Sequence, residues 1–122
     1  MGRLKLPASR VSAWRYGFNT PASYDDIHTY CGGAYFDLVN PKTCNICGSS
    51  PGTKTFMAPG KYATGTITGQ YKAGGIINLE YHTSVNRKGY FLVKLCTKVS
   101  STKSDPAQSC FDRYVSYCVW TF

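Results

Sequence analysis

Histidine and acid are the scarce residues of this chain. Histidine occurs only as His28 and His82, and 6 Asp and Glu face 14 Lys and Arg, for a formal net charge of +8. Long apolar runs are missing: none approaches the ~18 residues of a membrane-spanning helix. Runs of like charge are missing as well. The basic residues are scattered, so the positive balance points to solubility more than to nucleic acid. The opening Met1-Gly2-Arg3-Leu4 carries no apolar signal-peptide core, and Leu6 stands where a myristoylation signal needs Ser or Thr. No P-loop and no internal repeat occur. The apolar and aromatic content is too high for bulk disorder.

Cysteine, by contrast, is abundant. The 122 residues hold 6, at Cys31, Cys44, Cys47, Cys96, Cys110 and Cys118. An even number in a short chain favours disulfides, whose pairing the spacing alone leaves open. Disulfides persist in oxidising compartments, so a secreted protein is expected, its leader either removed or lost. A second reading of the same residues is a zinc module. His28, Cys31, Cys44 and Cys47 have a spacing that could hold one ion by one imidazole and three thiolates. The length suggests one domain over 1–122, burying roughly two-thirds of its unfolded surface.

Along the chain, residues 1–30 read as irregular, punctuated by Pro7, Gly17 and Pro21. Residues 49–60 read as a Pro/Gly-rich loop. Residues 64–71 are β-prone, with Gly69 an interruption. Residues 76–83 form a second expected strand, with Ile77, Leu79 and Tyr81 on one face and His82 on the other. Residues 90–96 form a third. Residues 97–109 read as a Ser/Thr/Lys loop, and 110–122 as a closing segment ending on a strand at Val119-Trp120-Thr121-Phe122. Short strands between frequent turns suggest a β-sandwich. The large apolar residues Trp120 and Phe122 at the end suggest that the natural protein continues.

The N-terminal run Gly2-Arg3-Leu4, Pro7, Ser9-Arg10, Ser12-Ala13-Trp14-Arg15 resembles the mature start of the insect-type lytic polysaccharide monooxygenases, the auxiliary-activity fifteen family, which overlaps the chitin-binding type-4 domain. The likeness continues in order through Gly17-Phe18, Thr20-Pro21, Tyr24-Asp25-Asp26, Cys31-Gly32-Gly33, Cys44, Cys47-Gly48 and Gly60-Lys61-Tyr62-Ala63. It resumes at Asn86, Gly89-Tyr90-Phe91, Leu95-Cys96 and Cys110-Phe111-Asp112. The terminal Cys118-Val119-Trp120-Thr121-Phe122 is similar to a later strand of the family, which places a gap between Val115 and Cys118.

The resemblance implies an all-β, immunoglobulin- or fibronectin-III-like sandwich with long loops. It implies a polysaccharide-active surface built on copper held by a histidine brace: an N-terminal histidine's amine and imidazole plus a second imidazole. It also pairs Cys96 with Cys110 and Cys31 with Cys44 or Cys47, leaving the other for Cys118 or free. This sequence departs at both brace positions, where Met1 and Arg87 stand. A thioether is not a chelating imidazole, and a guanidinium has no lone pair to give. The expectation is a polysaccharide-binding protein, on chitin or cellulose, without copper or other cofactor and without oxidative activity. The alternative implied by the resemblance is an active monooxygenase whose histidine is encoded upstream. Tyr24 and Asp25 are expected on the sugar-facing surface, by apolar stacking and polar orientation. Trp14 is expected in the core and His82 half-exposed. Asp25 and Asp26 are adjacent and not expected to act as an acid/base pair. Neither nucleic acid nor membrane is an expected partner, and a monomer is expected.

Overall fold

The computed structural model describes residues 1–28, 45–50, 52–86, 88, 91, 93–98 and 101–113. Its elements run β1 (Gly2–Leu6), a 3₁₀ turn (Ala13–Tyr16), β2 (Glu80–Thr83) and α1 (Gln108–Arg113). β1 and β2 pair antiparallel, with Gly2 opposite Thr83, Arg3 opposite His82, Leu4 opposite Tyr81 and Leu6 opposite Glu80. The step from Leu4 to Leu6 skips a residue on one strand only, a bulge at Lys5. Lys5 still reaches Glu80, Nζ to Oε1 at 2.7 Å, on the exposed side.

The opening segment is therefore a strand, not the irregular run its prolines and glycines suggest. What makes it one is its partner 80 residues on, invisible to local propensity. The expected strand over 76–83 is trimmed to Glu80–Thr83 for a related reason. β1 ends at Leu6, and Pro7 cannot donate to a ladder, so residues 76–79 run past the end of their partner. Residues 64–71 form no ladder either: Gly65 sits at φ +74, a left-handed kink, and the stretch lies open, Ile67 being 71% exposed. Residues 93–97 lack strand pairing. The helix α1 replaces the start of the expected closing segment. Pro106 two residues ahead and the Gln108–Asp112 hydrogen bond one turn apart (3.3 Å) are its local signals. Residues 114–122 lie outside the described residues.

The buried centre among the described residues is made of small side chains. Ala8, Val11, Ala13, Tyr62, Ala63 and Cys110 are buried with Ser12, Ser23, Ser49 and Asp26. Buried hydroxyls need partners. Ser12 Oγ donates to the Leu4 carbonyl at 3.1 Å and shares a 2.7 Å bond with Ser9 Oγ. Those bonds fasten the 3₁₀ turn onto β1. Gly17 at φ +89 then ends the turn.

Gly2 is where β1 comes closest to β2. A Cβ at Gly2 would lie 2.3 Å from the His82 carbonyl oxygen and 2.7 Å from the Tyr81 ring. Gly2→Ala is expected to force the strands apart and destabilise the fold by about 1–3 kcal/mol. Thermal melts of both proteins check this, and an unchanged midpoint would show that the strand pair yields freely.

Cys96 and Cys110 are joined, with Cα atoms 5.3 Å apart and a sequence separation of 14. A bridge closing a loop of that length contributes about 3 kcal/mol in the chain-entropy picture. The double variant Cys96→Ser, Cys110→Ser is expected to lose about that much, read as a shift in the urea midpoint at unchanged slope.

Candidate functional site

The N-terminal edge is organised around one carboxylate. Asp26 is 1% exposed, and two arginines enclose it. Arg3 Nη1 donates to Oδ1 at 3.2 Å, and Arg15 Nε donates to Oδ2 at 2.6 Å. Arg3 Nε also donates to the Tyr16 hydroxyl at 3.2 Å. The hydrogen bond to Asp26 raises the Arg15 pKa, so that side chain stays a cation throughout. This triad holds β1, the 3₁₀ turn and the 24–27 turn together.

That arrangement presents an aromatic surface. Tyr24 is 84% exposed. Its ring meets Trp14 edge-on, with centroids 5.3 Å apart, and the Arg15 guanidinium lies over the Trp14 ring at 4.3 Å. Trp14 is half-buried, so it serves as the buttress behind Tyr24, not as a core residue. Its indole Nε1 has no acceptor among the described residues. Asp25 is exposed and pairs with His28, while Asp26 turns inward. The two adjacent carboxylates thus point apart and share no proton chemistry.

At the first residue, the Met1 ammonium donates to the Val85 carbonyl at 2.9 Å. The Met1 carbonyl accepts from Ser84 N at 3.0 Å, Ser84 Oγ at 3.1 Å and Val85 N at 3.4 Å. Position 1 is therefore tied to the segment that leads from β2 towards Asn86. Arg87, at the second brace position, lies outside the described residues. His82, exposed, sits opposite Arg3 in the strand register. A brace needs one amine and two imidazoles. The sequence has only 2 histidines, and His28 is committed to Asp25. Among the described residues no group of three or more His, Cys, Asp or Glu is gathered. The residues that the resemblance puts at the brace, Met1 and Arg87, carry no imidazole.

The zinc reading meets a different environment. Cys47 is a free thiol, donating to the Phe56 carbonyl at 3.4 Å. Burial pushes its pKa up, against the pull of Arg10. A protonated thiol beside a guanidinium is a poor place for a dication. Cys31, Cys44 and Cys118 lie outside the described residues, so the remaining pairings are not placed. The letters Gly48-Ser49-Ser50-Pro51-Gly52 spell a nucleophile-elbow pattern. No strand–turn–helix surrounds Ser50 among the described residues, and its hydroxyl bonds Thr53 Oγ1 at 3.0 Å.

Two further hubs carry no sequence motif. Arg10 makes a two-pronged pair with Asp105, at 3.1 and 2.9 Å, and donates to the Phe56 carbonyl at 3.0 Å. Asn45 Nδ2 donates to Ser49 Oγ and to the Ser50 and Thr53 carbonyls, while its Oδ1 accepts from the Cys47 and Ser49 amides. One asparagine thus shapes the 45–53 loop. Its neighbours Cys44 and Ile46 give no local sign of that role.

These features define an all-β protein of the lytic polysaccharide monooxygenase-like fold, mainly non-helical, with a small antiparallel sheet and a disulfide. The chain is similar to a solved structure of an AA15 lytic polysaccharide monooxygenase from Thermobia domestica in the Cu(I) state. The identity is 26%, the match covers 100% of this chain and 67% of that one, and the TM-score is 0.77. No protein-family model and no curated protein matches the sequence. Among the described residues, no helix is long and apolar enough to cross a membrane.

Proposed function

We propose that this chain is a secreted, monomeric polysaccharide-binding protein of monooxygenase-like fold, which lies on chitin or cellulose through Tyr24 and Asp25 without a copper histidine brace. The observation that carries the reading is Tyr24, 84% exposed and braced from behind by Trp14 and Arg15. An apolar ring held rigid at the surface loses little entropy when it stacks on a sugar ring. Exposed Asp25 next to it can orient the sugar hydroxyls. The absence of oxidation is supported by the donor set: an amine and a thioether at Met1, a guanidinium at Arg87.

Pull-down on chitin and cellulose tests it. Retention above an albumin control is expected, and Tyr24→Ala is expected to weaken it by about 1 kcal/mol, roughly fivefold. No retention of the parent protein, or an unaffected Tyr24→Ala, would sink the reading. Copper titration followed by electron paramagnetic resonance tests the other half. A type-2 signal at one equivalent, with oxidised oligosaccharides on adding reductant, would make the chain a monooxygenase instead.

A further inference from the structure

Every carboxylate among the described residues has a cation. Asp25 has His28, Asp26 has Arg3 and Arg15, Glu80 has Lys5, Asp105 has Arg10, and Asp112 has Lys94. Lys61, Lys72, Lys88, Lys98, Lys103 and Arg113 are exposed and make no such pair. The surplus charge of the chain is therefore not evenly neutralised. Among the described residues it stands in solvent on side chains without an acidic partner.

Three of those cations are gathered by the Cys96–Cys110 bridge. Lys98 lies two residues beyond Cys96, with its amide on Cys96 Sγ at 3.4 Å. Arg113 lies one turn of α1 beyond Cys110, hence on the same side of the helix. The bridge sets the two cysteine Cα atoms 5.3 Å apart, which confines Lys98 and Arg113 to one end of the molecule. Lys103 belongs to a hydroxyl turn in the same loop: its amide bonds Ser101 Oγ at 3.3 Å, and Ser104 N bonds the same oxygen at 3.0 Å. That turn packs against Gly65, so Ser101 faces Thr64 and Thr66 across a cleft of about 210 Å³. Lys61 stands beside that cleft, its ammonium 5.6 Å from the centre of the Tyr62 ring. The acids of this end are spent: the Asp105 side chain is 2% exposed on Arg10, and Asp112 holds Lys94 at 2.5 Å.

We propose that this face, Lys98, Lys103 and Arg113 with Lys61 beside the cleft, binds an anionic polysaccharide bearing sulfate or carboxylate groups. Spaced cations with serine and threonine hydroxyls between them suit charges repeated along a sugar chain. A nucleic acid suits it less. The described residues of the 97–109 loop carry no aromatic ring on which a base could stack, and α1, at 6 residues, is too short to fill a major groove. The surface shares no residue with Tyr24, so the two can fail separately.

The experiment uses the full chain on four supports: sulfated polysaccharide, carboxylated polysaccharide, uncharged chitin and double-stranded DNA, each eluted with a salt gradient. Two triple variants are compared with the parent: Lys98→Gln, Lys103→Gln, Arg113→Gln, and Lys54→Gln, Lys72→Gln, Lys88→Gln, which removes the same charge at positions outside the proposed set. Thermal melts confirm that both fold. The first variant is expected to bind an anionic glycan at least tenfold more weakly at low salt. Its log affinity should fall less steeply with log salt, by roughly two to three in slope. The second variant and Tyr24→Ala are expected to keep anionic binding close to the parent's. Equal loss in the two triple variants would reduce the effect to net charge and overturn the proposal. So would tighter retention on DNA than on both anionic glycans, or loss of anionic binding in Tyr24→Ala.

Discussion

Asp26→Asn is expected to lower stability by about 3 kcal/mol or more, and the melting midpoint by roughly 10 °C. The carboxylate is all but shut off from water and takes one arginine on each oxygen. The asparagine has the same shape, but one of its atoms becomes an N–H₂ donor facing a guanidinium donor. The charge that stabilised both cations is gone, and breaking a buried pair from one side costs more than the pair is worth net. Arg3 and Arg15 keep some solvent contact, which sets the figure at the low end of the range for buried pairs. Asp25→Asn is the control. Asp25 is exposed, so its loss is expected within about 0.5 kcal/mol. Equal effects for the two would mean that Asp26 is not the hub described. A second readout follows from position. Tyr24 lies two residues before Asp26, so Asp26→Asn is expected to weaken polysaccharide retention even below the melting transition, because the turn that presents the ring is no longer anchored.

The triad also bears on how the edge is held with a methionine at position 1. Nothing that fastens β1 uses the brace positions' imidazoles. Met1 is held through backbone groups by Ser84 and Val85, Gly2 by its lack of a side chain, and Arg3 by Asp26. A change of side chain at position 1 is therefore expected to leave the scaffold unaltered.

Much of the fold was legible in the residues because the motif-bearing positions are local or chemically constrained. Gly2-Arg3-Leu4 and Ser12-Ala13-Trp14-Arg15 carry the resemblance that implies the sandwich and the Cys96–Cys110 bridge. Tyr24 is expected at the surface through that same resemblance. What was not legible depends on distant partners. β1 is a strand only because Glu80–Thr83 lies beside it, and residues 76–79 are unladdered only because Pro7 ends that partner. The different fates of Asp25 and Asp26 follow from where Arg3 and Arg15 happen to fall, and a dipeptide carries no record of that. Arg10 and Asp105, 95 positions apart, were likewise invisible as a pair.

Asp105→Asn is expected to cost about 2–4 kcal/mol, for reasons that differ from those at Asp26. Here one carboxylate serves three segments. Oδ1 and Oδ2 take the two arms of Arg10, and Oδ2 also accepts from the Ala58 amide at 2.7 Å. Burial is the strongest single influence and works against the Arg10 charge, but the hydrogen bonding to Asp105 and the attraction to Cys47 and Asp105 together outweigh it, so that its pKa ends raised. The same arm that meets Asp105 also reaches the Phe56 carbonyl, which in turn accepts the Cys47 thiol. Arg10→Lys tests the geometry apart from the charge. A single ammonium cannot reproduce two parallel bonds and a third to a carbonyl, so about 1.5–3 kcal/mol of loss is expected although the charge is kept. With the single variant Arg10→Met beside Asp105→Asn, the double variant Arg10→Met, Asp105→Asn closes a cycle. If the pair acts as a unit, the double loss is expected to fall short of the sum of the single losses by 1 kcal/mol or more, since removing both partners leaves no lone buried charge. Additive losses would show two independent contacts instead. In that case the 56–58 turn would keep its place without Asp105, and Cys47, still covered by that turn, would be expected to alkylate at the same rate in variant and parent.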